Sequence, residues 1–229
     1  MIKAAPSDKR QVKDLAAGPA LDTCHSALTL MLSVLIELQR LKRLDRTGWV
    51  LRGLAPGAES VGAHTYGVAI TAMLLADEVR ARGGALDVER VLRLALIHDW
   101  AETRMGDLPR TAAEYFGAAA RQRAERAAFD DMVAALGAAL GREYSAWHEE
   151  YETRASVEAR LVKAADIIDL LAQAFVFERA GARGLDEFWA AAETRDFGLE
   201  GVAAEVVTDA LAALVTARAA LDERGREDR

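Results

Sequence analysis

Apolar residues recur along this chain at intervals of three and four, and no segment shows the sustained alternation, rich in β-branched residues, that a strand requires. Only four prolines interrupt 229 residues, and the abundant Ala, Leu, Arg and Glu are good helix formers. The spacing therefore predicts an all-α globule of about six to eight helices. We expect one domain over residues 23–222, a loosely structured arm over 1–22 and a frayed tail over 223–229.

Glycine and N-capping residues divide the chain into helices and loops. The Gly-rich segment DRTGWVLRGLAPGAESVGA is long for a connection, and long loops are frequently functional. The boundaries predict helices over 24–44, 64–82, 88–98, 118–136, 156–180 and 201–221, with Asp87 as an N-cap.

The charge and cysteine content narrow the classes of partner and compartment. The formal net charge is −7, whereas nucleic-acid-binding surfaces are basic, so we expect no nucleic-acid partner. The single cysteine, Cys24, excludes an intramolecular disulfide and suits a reducing compartment. The apolar stretch 27–38 is too short to span a membrane, and the first residues contain no apolar leader. A cytoplasmic protein that contacts no membrane is predicted.

Several polar side chains fall on helix faces that are otherwise apolar. His64 shares its face with Val68, Leu75 and Val79 at helical spacing. His98 and Glu102 are four residues apart, which would place them on one inward face. A lone inward histidine is more often a hydrogen-bonded core residue than a ligand, so each residue taken singly is weak evidence.

Two aspartates join the histidines on these apolar faces. Asp99 follows His98 directly, and Asp166 shares a face with Val162 and Phe177. A buried ionised carboxylate costs several kcal/mol unless it is paired or binds a metal, although an Asp near a helix end can be a cap. The alternative is a divalent-metal site that suits Mn, Co, Ni, Fe or Mg better than a closed structural zinc site. Its ligands would be His64, His98, Asp99 and Asp166.

Five segments carry a resemblance to a known family: LKRLDRTGWVLRG, ESVGAHTYGVA, LALIHDWAETRMGDLP, WHEEYETRASVEARLVKAAD and DEFWAAA. With the order H…HD…D, they make the chain similar to the HD-domain metal-dependent phosphohydrolases. More narrowly, the chain resembles the branch that acts on 2′-deoxynucleoside 5′-monophosphates. It implies an all-α HD-type fold, one divalent ion per chain, hydrolysis of the 5′-phosphomonoester to nucleoside and phosphate, and a homodimer.

The resemblance also implies roles for individual residues. The metal ligands carried over by position are the four residues named above. Glu102 and Asp107 fall on acidic catalytic positions, and Arg46 and Trp49 fall in the segment that contacts the nucleoside monophosphate. Each residue has a structural alternative. Glu102 can be an exposed helix residue, and Asp107 can be part of a turn. Arg46 can belong to a solvated cationic face, and Trp49 can anchor the loop on the core. The family gives Asp169 no ligand role, and His25 and His148 match no ligand position.

Two other functions remain open. The first is hydrolysis of a different phosphate ester, such as a specialised nucleotide, a cyclic nucleotide or a guanosine polyphosphate. The second is a non-catalytic role, in which the chain is a helical module that binds a metal or a nucleotide. Glu102 and Asp107 argue against the second alternative, because a pure binding module does not need them.

Overall fold

A computed structural model describes residues 19–193 and 195–227. Within these ranges the chain forms α-helices, two short 3-10 helices and no strand, and the all-α prediction is confirmed. The α-helices are α1 Pro19–Leu38, α2 Thr47–Val50, α3 Val61–Ala81, α4 Val88–Ile97, α5 Glu102–Met105, α6 Arg110–Phe116, α7 Ala118–Val133, α8 Ala138–Thr153, α9 Val157–Arg179, α10 Asp186–Glu193 and α11 Gly201–Glu227. The 3-10 helices are Gln39–Lys42 and Ala134–Leu136.

The described ranges contain more helices than the six to eight expected, because segments outside the predicted helices hold the 16-residue helix α8 and several short helices. Helices α2 and α5 have four residues each, and α6 has seven. Helices of one or two turns bury too few residues to leave an amphipathic pattern in the sequence. Helix α1 already begins at Pro19 and α11 continues to Glu227, so both ends differ from the predicted limits. Most of the predicted arm lies outside the described residues.

Side-chain caps fix the start of the three helices that matter most for the site. Ser60 accepts a hydrogen bond from the amide of Ala63 at the start of α3, and Ser156 does the same at the start of α9. Asp87 caps α4 through the amide of Arg90, as predicted. Each cap satisfies an amide that the first helical turn leaves unpaired.

Helix α9 lies at the centre of the main core, and α3, α4 and α11 all pack against it. Its Leu161 and Leu171 are fully buried together with Val68 of α3 and Leu94 of α4. Burial of one such side chain contributes about 1.5–3 kcal/mol. This packing holds α3, α4 and α9 in fixed relative positions.

A smaller apolar cluster joins α1 to α4 and α7. Val34 of α1, Ile97 of α4 and Phe129 of α7 are buried there with Met132 and Val133. Because Ile97 is the last residue of α4, this cluster fixes the end of that helix, where His98 follows.

Hydrogen bonds join the two ends of the Gly-rich segment before α3. Asp45 and Ser60 form an isolated antiparallel bridge, and the amide of Arg46 donates to the carbonyl oxygen of Glu59 over 3.0 Å. Gly53 and Gly57 have positive φ angles, which residues with side chains rarely adopt. The segment therefore holds α2 in a defined position beside α3.

None of the helices in the described ranges is both long enough and apolar enough to cross a membrane. The cytoplasmic location stays a prediction.

Candidate metal centre

Two buried imidazoles meet where α3 begins and α4 ends. His64 of α3 is 1% exposed and His98, the C-cap of α4, is 5% exposed. Their ring centroids lie 5.6 Å apart at a steep angle. The core packing of α3 against α4 brings these residues together although 34 positions separate them in the sequence.

The outer nitrogen of each ring is held by an acceptor. His98 Nδ1 lies 2.7 Å from the carbonyl oxygen of Ala95, and His64 Nδ1 lies 2.9 Å from Asp169 Oδ2. A carbonyl oxygen or an ionised carboxylate can only accept, so Nδ1 carries the proton in both rings. Both Nε2 atoms therefore face the interior of the site.

Two carboxylates lie against these inward nitrogens. Asp99 Oδ2 is 3.1 Å from His98 Nε2 and 3.9 Å from His64 Nε2, and Asp166 Oδ1 is 3.2 Å from His64 Nε2. The other oxygen of Asp166 accepts a hydrogen bond of 2.7 Å from Lys163 Nζ. Like the two imidazoles, Asp166 is thus oriented through the polar atom that points away from the centre.

The geometry fits a divalent cation. Potential ligand atoms of His64, His98 and Asp99 all lie within 4.8 Å of one another, and Asp166 lies beside them. Among the described residues, both Nε2 atoms and Asp99 Oδ2 are buried without a hydrogen-bond partner. Buried polar atoms are normally paired, and imidazole nitrogens with carboxylate oxygens form a donor set for borderline to hard metals. These four residues can hold a metal ion.

The pKa values report how strongly this site attracts positive charge. Burial and the charge of Arg46 lower the pKa of His64, but Asp166 and Asp169 outweigh them and raise it to about 9. Burial raises the pKa of Asp166, yet Lys163 and His64 hold it well below its usual value. A proton on His64 Nε2 and a metal ion would compete for the same atom.

Although His98 and Glu102 are four residues apart, they do not lie on one continuous helix. Helix α4 ends at Ile97, and the next amides bond three residues back, Trp100 to Ile97 and Glu102 to Asp99. This tighter turn interrupts the α-helix before α5 begins at Glu102. Both side chains nevertheless point inward, since Glu102 is only 7% exposed.

A cavity of about 210 Å³ opens beside the metal ligands. The sequence-predicted residues that line it are Arg46, Trp49, Asp99, Glu102, Asp107 and Asp166. Arg46 Nη1 is 3.6 Å from Asp99 Oδ2 and 3.9 Å from Asp107 Oδ1, too far for a hydrogen bond to either. The guanidinium therefore lies close to both carboxylates but is hydrogen-bonded to neither.

Asp107 and Trp49, which line the cavity, are each held by hydrogen bonds or ring contacts. Asp107 Oδ2 accepts a 2.6 Å hydrogen bond from the amide of Thr47. Trp49 is buried against Phe177 and Phe188, and its Nε1 donates to Glu59 over 2.6 Å. Both residues thus hold α2 in place, which agrees with the structural alternatives considered for them, and both also line the cavity.

Sequence reasoning missed three residues that orient the site. Asp169 contacts His64, Lys163 contacts Asp166, and Thr47 contacts Asp107. Asp169 and Lys163 lie one helical turn on either side of Asp166, so their spacing was a usable signal. No comparable signal exists for Thr47, since its partner is 60 positions away.

Comparison with known proteins shows the family to which the chain belongs. The family model described as HD domain matches residues 38–195. The chain is 35% identical over 165 residues to a 5′-deoxynucleotidase HDDC2 of Xenopus laevis, covering 72% of this chain and 77% of the relative.

Solved structures give the same result. The PH0347 protein of Pyrococcus horikoshii superposes with a TM-score of 0.67 at 32% identity, covering 81% of this chain and 99% of its own. A predicted metal-dependent phosphohydrolase of Magnetospirillum magnetotacticum superposes with a TM-score of 0.62 at 25% identity, covering 87% and 96%. The chain described here belongs to the HD-domain family.

Proposed function

We propose that this protein is a metal-dependent phosphohydrolase that converts 2′-deoxynucleoside 5′-monophosphates to nucleoside and phosphate. The observation that carries the proposal is the convergence of two unpartnered imidazole nitrogens and two carboxylates beside a cavity that also holds Arg46 and Glu102. The activity named for the relative from Xenopus laevis supports the substrate class.

We assign one divalent ion per chain to His64, His98, Asp99 and Asp166. The mixed imidazole and carboxylate set suits Co, Mn, Ni, Fe or Mg. When bound, such an ion supplies Lewis-acid polarisation of a phosphoryl oxygen and of water. The chain's own contribution is to hold three of the four ligands in orientation: Asp169 orients His64, Ala95 orients His98 and Lys163 orients Asp166.

Glu102 is assigned the role of general acid. Burial, together with the charges of Asp99 and Asp107, raises the pKa of Glu102 to about 10. Its carboxyl group can therefore hold a proton and donate it to the sugar 5′-oxygen as the bond from phosphorus to that oxygen breaks. Water supplies the oxygen of the new bond to phosphorus, and the proton that this water loses restores the Glu102 carboxyl group, so the products are a nucleoside and inorganic phosphate.

Arg46 is assigned to the phosphate oxygens of the substrate. Its guanidinium lines the cavity and makes no hydrogen bond to Asp99 or Asp107, so its donors are available. A planar guanidinium fits two phosphate oxygens, and such charge-assisted hydrogen bonds are strong. Asp107 supports this role by holding the amide of Thr47, the residue after Arg46.

The cavity wall supports a preference for deoxy sugars. Trp49, Leu108, Pro109 and Phe188 line the cavity together with the carboxylates. A 2′-hydroxyl against this apolar wall would lose its water without gaining a partner, at a cost of about 1–3 kcal/mol. That cost corresponds to roughly a ten- to a hundredfold preference for the deoxy substrate.

The testing experiment is a phosphate-release screen with each metal in turn. We expect release from dAMP, dGMP, dCMP and TMP, each faster than from the corresponding ribonucleotide. The Trp49→Phe variant should narrow the difference, and it avoids the large core cavity that alanine would leave. Equal rates on AMP and dAMP would remove the deoxy preference. Release from no monophosphate by the metal-loaded protein would favour another phosphate ester instead.

We also propose that the protein is a homodimer. Leu28, Leu32, Leu35 and Ile36 form one stripe of α1 and are between 49% and 64% exposed, whereas Val34 on the opposite face is buried in the core. Contiguous exposed apolar stripes of this kind support association, and a second copy of the chain offers the same stripe.

Analytical ultracentrifugation should give twice the chain mass of 24.8 kDa, and Ile36→Glu should shift the protein to the monomer. A parent protein that stays monomeric at all concentrations would contradict the proposal.

A further inference from the structure

Asp169 contacts the candidate metal centre but is not one of its four proposed ligands. Its Oδ2 lies 2.9 Å from His64 Nδ1, on the side of the ring opposite Nε2. Asp169 belongs to α9, one turn after Asp166, while His64 belongs to α3. The carboxylate side chain is 15% exposed, so little water competes for this hydrogen bond.

Gly67 explains how the carboxylate reaches this position. A Cβ atom at Gly67 would lie 2.2 Å from Asp169 Oδ1 and within 2.9 Å of the carboxylate's other two atoms, far inside contact distance. Gly67 lies inside α3 without a positive φ angle, so the backbone itself does not require glycine. A helix-interior glycine costs about 0.5–1 kcal/mol relative to alanine. The close approach of Asp169 is the physical reason for the missing side chain.

We propose that Asp169 is a positioning residue that acts on the metal through His64. The inference rests on the metal-dependent function proposed above. Accepting the Nδ1 proton fixes the tautomer, holds the ring plane and makes Nε2 a stronger electron donor. Asp169 itself contacts neither the metal nor the substrate in this arrangement.

A second cation is the main alternative for these atoms. Glu59, His64 and Asp169 bring potential ligand atoms within 4.8 Å of one another. However, His64 Nδ1 is already hydrogen-bonded to Asp169, and Glu59 Oε2 accepts from Trp49 Nε1 over 2.6 Å. The atoms needed for a second ion are therefore engaged with one another and with the neighbouring indole.

The test measures Mn²⁺ binding to metal-free protein by calorimetry, with phosphate release from dAMP measured in parallel. Asp169→Ala should weaken Mn²⁺ binding by about 10- to 100-fold, and Asp169→Asn should weaken it less, because its amide oxygen still accepts from Nδ1. The control is Asp209→Asn, the same chemical change at an exposed carboxylate paired with Arg82; it should bind like the parent. Thermal unfolding of the metal-free proteins verifies that each variant folds.

Gly67→Ala gives an independent test without changing any titratable group. By helix propensity alone this change stabilises a helix, but here its Cβ must displace Asp169. We expect Mn²⁺ binding to fall in Gly67→Ala as it does in Asp169→Ala.

The outcomes separate this inference from the proposed function. An Asp169→Ala protein that binds Mn²⁺ as tightly as the parent overturns the positioning role, even if both release phosphate. Two ions in the parent and one in Asp169→Ala would make Asp169 a ligand and overturn it as well. Weaker binding in Asp169→Ala, with no phosphate release from the loaded parent, would support the inference and contradict the hydrolysis.

Discussion

Thr47 and Asp107 are joined by two hydrogen bonds although 60 positions separate them. The amide of Thr47 donates to Asp107 Oδ2, and Thr47 Oγ1 donates to the carbonyl oxygen of Asp107, each over 2.6 Å. The pair fastens the start of α2 to the turn after α5. Because Arg46 immediately precedes Thr47, the position of the guanidinium depends on this connection.

Thr47→Val should therefore alter substrate binding more than the chemical step. Valine keeps the volume but leaves the Asp107 carbonyl oxygen without this donor, at a cost of about 1 kcal/mol in stability. We expect KM for dAMP to rise severalfold, with a smaller change in kcat. Thr216→Val is the matched control, since Thr216 Oγ1 donates to the carbonyl oxygen of Ala212 within α11. An unchanged KM in Thr47→Val would show that the connection does not position Arg46.

Asp166→Asn should lower metal occupancy. The substitution removes a negative charge that lies 3.2 Å from His64 Nε2. The metal-loaded parent should also lose thermal stability when a chelator is added, because a ligand at 100 times its Kd stabilises the native state by about 2.7 kcal/mol. Elemental analysis and thermal scans measure both effects. A parent that takes up no metal on reconstitution would contradict the assignment of the centre.

Glu102→Gln should retain the metal and lose turnover. Glutamine has the shape of a protonated glutamate but cannot give up a proton, so we expect kcat to fall by roughly 10²–10⁴. Metal content by elemental analysis should match that of the parent. Glu143→Gln, at an exposed position of α8, controls for the chemical change. Parent-like kcat in Glu102→Gln would require another acid for the leaving group.

His148 should make the protein less stable in acid. It is buried, stacked on Phe129 with ring centroids 4.1 Å apart. Burial lowers its pKa from 6.5 to about 4, with Arg126 acting in the same direction and Asp130 opposing. Between these values the unfolded chain binds a proton that the folded chain does not, so this contribution is intact above pH 6.5 and is lost as the pH falls towards 4. The loss at pH 4 amounts to about 3 kcal/mol.

His148→Phe, which can keep the stacking on Phe129, isolates this effect. Denaturant unfolding at pH 7 and at pH 4 gives the acid-induced loss of stability for each protein. The parent should lose about 3 kcal/mol more than the variant over this interval. Equal losses in the two proteins would show that the pKa of His148 is not depressed.

The sequence by itself determined the helical class and most of the candidate ligand set. Helical periodicity and N-caps such as Asp87 are local, because they depend on residues within one or two turns. The placement of His64, His98, Asp99 and Asp166 on apolar faces was also visible in the sequence. Burial of an unpaired charge is costly in any arrangement of the helices, so such residues indicate a site.

Only the tertiary structure decided which polar atoms pair with one another. Asp169 reaches His64 because α9 packs on α3 and Gly67 leaves the space, and Thr47 reaches Asp107 across 60 positions. The predicted end of the helix at residue 98 lies one residue from the observed end of α4 at Ile97, whereas the short helix α5 that follows was not predicted. A hydrogen-bond partner is chosen by the contact of distant elements, and no spacing along one helix encodes that choice.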